Sequence, residues 1–472
     1  MTNAIVVGSG PNGLAAALTL AQRGVTVRVL EARDTIGGGT RSSENTLPGL
    51  IHDDCSAFHP TGAASPFMQS LGLEEYGLTW LWPEIELAHP LDGGRAALLW
   101  RDINRTAEGL GLDGPAWAKL FGPAARNFDA LAEDVFRPII HVPDHPFKLA
   151  QFGLNALLPA RWTAKRLETE AARALFGGLS AHLFGRLDTP LSSSVGIMLG
   201  AAAHAYGWPV AEGGSRAITD AMAAKLKELG GTIETGVLVT STEQLGNPDI
   251  LMLNVAPDAA ARILGERLPR RIRRSYTRYK FGPGAFKVDF AIEGDIPWAN
   301  PDVGRAGTVH LGGTFEQVAG AEAQTVRGDM PAAPFTLLGQ QYLADPSRSA
   351  GSLNPIYAYA HVPHAFSGDA TEAIIAQIER FAPGFRKQIR HTFVRNIADM
   401  EAYNPNYVGG DISSGYNSVR QITMRPRIAM DPYKTGVPGV YLCSSSTPPG
   451  AGVHGMCGFN AATSALGYLD KN

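Results

Sequence analysis

Cysteine is scarce in this chain of 472 residues. Only Cys55, Cys443 and Cys457 occur, too few and too scattered for a disulfide framework or a thiolate metal site. The chain also begins without a basic segment followed by a short apolar run, and it has no stretch of about 18 uninterrupted apolar residues, which a membrane-spanning helix needs. These absences predict a cytoplasmic protein with no metal centre and no membrane-spanning segment.

Neither sign of charge is in excess. The 41 Lys and Arg residues are balanced by 44 Asp and Glu residues, which gives a formal net charge of −3. A nucleic-acid-binding domain normally has a basic surplus, so we expect no nucleic-acid partner. Hydrophobic residues make up 44% of the chain and charged residues 18%, a composition that excludes disorder and allows a large core.

The start of the chain has the pattern of a βαβ unit. Residues 4–8 (Ala-Ile-Val-Val-Gly) form a short β-branched run that ends at glycine, as a buried parallel strand does. Residues 11–23 have the apolar spacing of a helix, and Gly24 is placed to end that helix. Residues 25–31 then alternate as a second strand that ends at Glu31.

The turn inside this unit has the sequence Gly-Ser-Gly-Pro-Asn-Gly at residues 8–13. In dinucleotide-binding domains the first glycine of this GxGxxG pattern allows the tight turn, the second lets backbone approach a pyrophosphate, and the third lets helix and strand pack closely. Glu31 lies where its carboxylate can accept hydrogen bonds from a ribose but would repel a 2′-phosphate, which favours FAD or NAD over NADP. The alternative is a glycine turn between two core strands, with Glu31 in solvent.

A second glycine-rich loop, at residues 31–41, helps to choose between FAD and NAD. A nicotinamide-binding domain has no need of this loop. FAD does, because its diphosphate and ribityl chain run past it, and Arg41 can neutralise phosphate charge. The alternative interpretation is a flexible surface loop. The sequence therefore favours FAD as the cofactor.

We expect an α/β fold of two interleaved domains. A Rossmann-like FAD-binding domain is predicted at residues 1–66, 205–262 and 430–472, since a second βαβ-like passage and a closing strand, loop and helix bring the chain back to it. A substrate domain is predicted at residues 67–204, whose pattern is mostly helical, and at residues 263–429, where strands predominate. This second domain should combine a mixed sheet with helices.

Residues 4–60 resemble the FAD-binding opening of the phytoene desaturase and amine oxidase superfamily. The loop Gly-Gly-Gly-Thr-Arg at residues 37–41 differs from that superfamily's commoner Gly-Gly-Arg by two inserted residues. With residues 56–60 and 65–67, this variant is similar to the bacterial phytoene dehydrogenase-related branch. Further similar stretches lie at residues 207–210, 213–215, 285–289, 297–298 and 450–460. The resemblance implies a flavoprotein oxidoreductase.

The predicted FAD contacts come from the two N-terminal loops, from the second βαβ-like passage and from a C-terminal motif. They are Gly8, Gly10, Pro11, Asn12, Gly13, Glu31, Ala32, Arg33, Gly38, Gly39, Thr40, Arg41, Val237, Gly452, Val453, Gly455 and Met456. The C-terminal motif, Gly-Ala-Gly-Val-His-Gly at residues 450–455, is a poor nucleotide fingerprint because no further βαβ unit follows it. The resemblance implies a closing flavin motif whose helix, starting near Gly458, directs its N-terminus at the flavin. The alternative is a glycine-rich turn before a terminal helix.

Three side chains are candidates for catalytic roles. Related amine oxidases use a lysine bridged by water to the flavin, which makes Lys287 a candidate; a pair with Asp289 on a solvated face is the alternative. His59 follows the FAD loops closely, and a structural histidine is the alternative there. His454 lies inside the closing motif and is a candidate for contact with flavin or substrate.

The resemblance implies removal of a hydride from a largely apolar small molecule to flavin N5 by a desaturase or oxidase. No separate nicotinamide fingerprint is present, so oxygen or a quinone-like molecule is the expected electron acceptor. Peripheral membrane contact stays open, since related proteins reach lipid-soluble substrates in that way. Two alternatives also stay open: a flavin-dependent isomerase of an unsaturated lipid-like substrate, and a non-redox binding protein for lipidated partners.

Overall fold

The computed structural model describes residues 2–470, which contain both strands and helices. The strands are β1 (Asn3–Val7), β2 (Thr26–Leu30), β3 (Ser42–Ser43), β4 (His52–Asp53), β5 (Trp80–Leu81), β6 (Ile85–Leu91), β7 (Arg95–Leu99), β8 (Val210–Ala211), β9 (Thr232–Glu234), β10 (Ile250–Leu253), β11 (Gly284–Glu293), β12 (Ala306–Leu311), β13 (Thr336–Gly339), β14 (Leu353–Val362), β15 (Ile389–Arg395) and β16 (Val440–Leu442).

The α-helices are α1 (Pro11–Ala21), α2 (Pro60–Ala63), α3 (Pro66–Gln69), α4 (Ile103–Gly109), α5 (Gly114–Arg126), α6 (Phe128–Val135), α7 (Pro146–Ala156), α8 (Ala160–Ala164), α9 (Glu170–Ala181), α10 (Ser192–Tyr206), α11 (Arg216–Glu228), α12 (Pro257–Leu264), α13 (Arg270–Thr277), α14 (Phe315–Arg327), α15 (Thr371–Phe381), α16 (Phe385–Gln388), α17 (Ile397–Tyr403), α18 (Val419–Thr423) and α19 (Met456–Leu469). Within residues 2–470, no helix is long and apolar enough to cross a membrane.

The βαβ unit at the start of the chain forms the middle of a five-stranded parallel sheet. The strand order is β16-β10-β1-β2-β9. Val6 on β1 lies beside Val29 on β2 and Met252 on β10, and all three side chains are completely buried. Continuous apolar strands of this kind belong in a parallel sheet that helices cover on both faces. The predicted α/β fold with a Rossmann-like domain is therefore confirmed.

A seven-stranded mixed sheet forms the second part of the molecule, in the order β15-β11-β14-β13-β12-β6-β7. Only the β12–β6 pair is parallel among its described pairs. The strands of this sheet lie within residues 67–204 and 263–429, and those of the parallel sheet lie within the three other predicted ranges. The domain boundaries themselves stay a prediction.

The mostly helical pattern predicted for residues 67–204 is wrong for residues 80–99, which form β5, β6 and β7. All seven residues of β6 are buried, including Glu86 and His89. With both faces of the strand covered, the sequence does not alternate between polar and apolar residues, and that alternation is the usual signal of a strand.

Helix α19 packs directly against α1 and brings the end of the chain to its beginning. Gly458 on α19 lies against the carbonyl oxygen of Asn12, and Gly13 lies against the carbonyl oxygen of Gly8. A Cβ atom at either glycine would fall far inside van der Waals contact with backbone. The C-terminal motif is thereby held beside the first glycine-rich turn.

Candidate cofactor and substrate site

One cavity of about 620 Å³ extends from the first glycine-rich turn to the C-terminal segment. Its walls include the loops that follow the carboxyl ends of β1, β2, β10 and β16, which meet at one edge of the parallel sheet. Ligands of α/β proteins bind at this edge. The other walls come from α10, from residues that follow α9 and from strands of the mixed sheet.

The first turn offers free backbone N–H groups to this cavity. Gly10 is the N-cap of α1, has no side-chain cap, and is followed by Pro11. Gly8 has a φ of +97°, which a residue with a side chain rarely adopts, and Asn254 donates from Nδ2 to its carbonyl oxygen at 3.3 Å. An uncapped helix N-terminus of this kind binds phosphate groups.

Glu31 joins the two glycine-rich loops. Its carboxylate accepts hydrogen bonds from the Ser9 N–H at 2.9 Å, the Ser9 hydroxyl at 2.6 Å and the Arg33 N–H at 3.0 Å. Arg41 forms an ion pair with it at 3.3 Å and donates to the carbonyl oxygens of Thr35 and Gly38. Glu31 is buried rather than solvated, and it lines the cavity.

Most of the predicted FAD contacts line this cavity, but Gly13, Gly455 and Met456 do not. Gly13 lies behind the first turn, and Gly455 and Met456 form the start of α19. The contacts that do line the cavity are Gly8, Gly10, Pro11, Asn12, Glu31, Ala32, Arg33, Gly38, Gly39, Thr40, Arg41, Val237, Gly452 and Val453. The contacts that these residues make with FAD stay a prediction.

His454 is sealed behind the cavity instead of facing it. It is 2% exposed, its Nδ1 accepts a hydrogen bond from the Met456 N–H at 3.0 Å, and its ring lies 5.3 Å from that of Phe136. Burial lowers its pKa to about 4. The side chain therefore caps the first turn of α19 as a neutral imidazole.

His59 is sealed in a similar way. Its Nε2 shares a hydrogen bond of 2.8 Å with the Ser215 hydroxyl, and the Ser215 N–H donates to Asp53 at 2.7 Å. Burial lowers the pKa of His59 to about 4. The neighbouring Pro60 lines the cavity, so His59 fixes the wall without contacting what the cavity holds.

Lys287 lies one layer behind the cavity wall. Its ammonium group pairs with Asp289, whose carboxylate also faces His52 Nδ1 at 3.5 Å. Burial alone would raise the pKa of Asp289, but the adjacent Lys287 and His52 lower it overall. Lys287 Nζ lies 4.6 Å from the centre of the Tyr357 ring, which lines the cavity. The solvated face considered as the alternative is wrong, because both charged groups are buried.

Sequence reasoning missed one residue of the cavity wall, Asn254, and left the role of two tyrosines undecided. Asn254 follows the buried strand β10, and its position at the carboxyl end of a parallel strand is the signal that could have identified it. From the sequence alone, the two tyrosines of the segment Tyr-Asn-Pro-Asn-Tyr, Tyr403 and Tyr407, suit either a channel wall or aromatic packing. Both line the cavity, and the Tyr403 hydroxyl donates to the Gly38 carbonyl oxygen at 2.7 Å.

The cavity contains polar groups that suit a long polar ligand. Asn12 Oδ1 and Ser444 Oγ are buried without any hydrogen-bond partner, and both residues lie on the cavity wall. Buried polar atoms normally have partners. Together with the uncapped α1 and the carboxylate of Glu31, these atoms fit the phosphate, ribose and ribityl groups of FAD.

The end of the cavity formed by the mixed sheet and its helices is apolar, and we call it the apolar compartment. Ala57, Phe184, Leu337, Tyr357 and Tyr359 pack together there. The remaining lining residues from α9, α10 and the loop before β8 are His182, Val195, Leu199 and Trp208. The four Asp, Glu, Lys or Arg residues among the described lining residues all lie in the Rossmann-like part; they are Glu31, Arg33, Arg41 and Arg262.

Known proteins are similar to this chain in sequence and in fold. A model of NAD(P)-binding Rossmann-like domains matches residues 6–71. Pyridine nucleotide-disulfide oxidoreductase domain-containing protein 2 of Rattus norvegicus is 23% identical over 98% of this chain and 92% of that protein. Flavin-containing amine oxidase B of Sus scrofa is 32% identical over 27% of each chain. A structure of putrescine oxidase bound to putrescine is 18% identical, with a TM-score of 0.62 over 99% of both chains.

These matches confirm the predicted resemblance and the Rossmann-like domain, which fits FAD. The homologues and structural neighbours are oxidoreductases.

Proposed function

Since the chain has the fold of the flavin amine oxidase and desaturase superfamily, we propose that it is an FAD-dependent oxidoreductase that removes a hydride from a largely apolar small molecule. The observation that carries this proposal is one cavity that runs from the phosphate-binding turn at Gly8 to an apolar compartment. A cofactor and its substrate can meet in such a cavity.

The two glycine-rich loops would hold the cofactor. The N-terminus of α1 would bind the diphosphate, Glu31 would accept from the adenosine ribose, and the loop around Gly452 would lie beside the ring system. When bound, FAD supplies a hydride acceptor, and the protein orients the substrate against it. Arg41 keeps Glu31 paired and the second loop in place.

The apolar compartment is the basis for the substrate class. Burying an ammonium or carboxylate without a partner is costly, and the compartment has no Asp, Glu, Lys or Arg side chain among its described lining residues. This composition favours an uncharged substrate. The electrons would then pass to oxygen or to a quinone-like acceptor.

The visible spectrum of the purified protein tests the cofactor, and anaerobic bleaching of that spectrum tests the reaction. We expect flavin bands, and bleaching by members of a panel of neutral lipophilic molecules, with a product two hydrogen atoms lighter by mass spectrometry. Bleaching by charged amines alone would contradict the apolar substrate. A product of unchanged mass would indicate an isomerase instead. Absence of flavin bands, with no binding of added FAD, would contradict the whole proposal.

A surface between residues 137 and 166 supports peripheral membrane contact, which we propose as part of this function. Seven large apolar side chains are exposed there: Ile139, Ile140, Val142, Phe147, Leu154, Leu157 and Trp162. The same segment contains five Lys and Arg residues and one acidic residue, Asp144. Exposed apolar side chains among basic ones are typical of surfaces that bind anionic bilayers.

Sedimentation with vesicles tests the membrane contact. The protein should sediment with vesicles of phosphatidylglycerol and phosphatidylcholine more than with phosphatidylcholine alone. The double variant Phe147→Ser/Leu154→Ser should lose most of this binding, whereas Leu229→Ser, at an exposed leucine of the Rossmann-like part, should retain it. Equal sedimentation of both variants would contradict the assignment of this surface.

A further inference from the structure

Two side chains offer polar atoms to the apolar compartment. His182 directly follows α9, Tyr359 lies on β14, and both line the cavity. The ring of Phe184, two residues after His182, stacks on the Tyr359 ring with centroids 6.1 Å apart, which brings the segment after α9 beside β14. Neither the Tyr359 hydroxyl nor His182 Nδ1 has a hydrogen-bond partner among the described residues, and neither atom is fully buried. Each can therefore take a partner from the cavity.

A second histidine fixes the orientation of His182. Nε2 of His182 lies 2.9 Å from Nε2 of His310, a completely buried residue on β12. The Trp208 ring lies 5.8 Å from the His182 ring. With Nε2 held by His310, Nδ1 is the ring nitrogen that remains for a ligand.

The protonation of this histidine pair follows from its surroundings. Burial lowers the pKa of His182 to about 3 and that of His310 well below its ordinary value, so both rings are neutral near pH 7. A neutral imidazole has one donor nitrogen and one acceptor nitrogen. Nδ1 of His310 is buried and has no partner, so a proton there would be a donor without an acceptor. His310 therefore donates from Nε2 to His182 Nε2, and His182 carries its own proton on Nδ1.

We infer that His182 Nδ1–H and the Tyr359 hydroxyl form a subsite for an uncharged acceptor oxygen of the substrate, such as a carbonyl oxygen. This inference rests on the proposed function, because it names a feature of the substrate in the same compartment. A site that donates hydrogen bonds discriminates strongly against an analogue without the acceptor. The preferred substrate is thus an apolar molecule with a neutral oxygen at the end that enters the compartment.

Binding of two probes of similar shape tests the subsite. Equilibrium dialysis of the FAD-loaded protein with 2-acetylnaphthalene and with 2-isopropylnaphthalene compares a ketone with a hydrocarbon. The ketone should bind about tenfold more tightly, which corresponds to about 1.4 kcal/mol, since its oxygen accepts hydrogen bonds that the hydrocarbon cannot. His182→Phe and Tyr359→Phe should each reduce this preference several-fold. His391→Phe, the same change at an exposed position on β15, should retain it. Equal binding of the two probes to the unmodified protein would overturn the inference.

The ring nitrogens of His182 can also be observed directly. In protein labelled with ¹⁵N-histidine, the signals lost in His182→Phe should be those of a ring protonated at Nδ1, and the ketone should shift them. A ring protonated at Nε2 would overturn the inference even if a variant folds poorly in the binding experiment. The flavin spectrum of each sample separates the two proposals, because a failure of FAD binding contradicts the proposed function and leaves the ring protonation unaffected.

Discussion

At the scale of single residues, Glu31 is the side chain that holds the two glycine-rich loops together. It accepts three hydrogen bonds from Ser9 and Arg33 and pairs with Arg41. With the hydrogen bond from Arg41, four donors occupy the roughly four acceptor sites of the carboxylate, so a bound ribose would replace one of these partners. Removing Glu31 would leave both loops without their common partner.

We expect Glu31→Ala to weaken FAD binding at least tenfold and to reduce the free energy of unfolding by about 1–3 kcal/mol, since buried donors lose their acceptor. Flavin fluorescence titration and urea unfolding measure the two effects. The matched control is Glu234→Ala on β9, because that carboxylate is half exposed and lies 3.6 Å from Arg28. An exposed pair of this kind contributes about 1 kcal/mol at most. Equal effects of the two variants would contradict the role of Glu31.

Lys287 gives a second prediction, which separates structural from catalytic importance. Lys287→Met should cost about 3–5 kcal/mol of unfolding free energy, because Asp289 is left buried without its main partner. Lys287→Met/Asp289→Leu should recover much of this loss. Urea unfolding of both variants measures the effect. If Lys287→Met were as stable as the unmodified protein but slow in flavin reduction, the lysine would act on the reaction instead.

At the scale of secondary-structure elements, the contact between α1 and α19 sets the position of the C-terminal motif. The two helices approach closely at Gly458, where any side chain would meet the backbone of Asn12. Gly467, on the same helix, has open space where a Cβ atom would lie. The two glycines therefore have opposite roles, and they provide a comparison within one helix.

Gly458→Ala should displace α19, lower the melting temperature by several degrees and weaken FAD binding, because Gly452 and Val453 precede this helix on the cavity wall. Gly467→Ala should leave FAD binding unchanged and stabilise the helix by about 0.5–1 kcal/mol, since alanine has the higher helix propensity. Thermal unfolding with and without FAD measures both. A harmless Gly458→Ala would contradict the close packing.

At the scale of the whole molecule, buried neutral histidines make stability depend on pH. Burial lowers the pKa of six histidines. The pKa falls to about 4 for His59, His89, His204 and His454, to about 3 for His182, and well below its ordinary value for His310. In the unfolded chain these rings bind protons near pH 6.5, whereas in the folded protein they do not. Stability therefore falls as the pH drops from about 6.5 towards 4.

We expect the urea midpoint to be nearly constant between pH 7 and 8 and to fall steeply between pH 6.5 and 4. Glu86 opposes this trend. Burial raises its pKa to about 7, so as the pH falls it binds a proton in the folded state before it does so in the unfolded chain. Because six histidines act in one direction and Glu86 alone in the other, the net effect is a loss of stability as the pH falls. The slope of the unfolding free energy against pH gives the number of protons taken up on unfolding. His454→Gln should lower that number by about one, whereas His391→Gln at the exposed position should leave it unchanged. A flat profile from pH 7 to 5 would contradict this account.

Local sequence patterns were enough to predict the Rossmann-like half of the molecule. The turn at Gly8, the strand that ends at Glu31 and the loop around Gly39 depend on backbone conformations and close approaches that few residues other than glycine allow. Their signals are therefore visible in a short stretch of sequence. The predicted helix at the end of the chain likewise appears as α19, which starts two residues earlier than Gly458.

Proximity along the chain was a poor guide to catalytic side chains. His59 and His454 adjoin cavity-lining residues, but their own rings are turned into the core, where Ser215 and the start of α19 hold them. Conversely, His182 has no motif around it. It reaches the apolar compartment because α9 packs on the sheet that carries His310.

The sequence by itself determined the dinucleotide-binding turn, the acidic strand end and the resemblance that links them, because these features depend on residues within a few positions of one another. Only the tertiary structure decided which side chains face the cavity and which support it from behind. That choice depends on contacts between strands and helices that lie tens to hundreds of residues apart in the chain, such as Lys287 behind Tyr357 and Gly458 against Asn12. Such contacts are set by the packing of whole elements, and no short stretch of sequence records them.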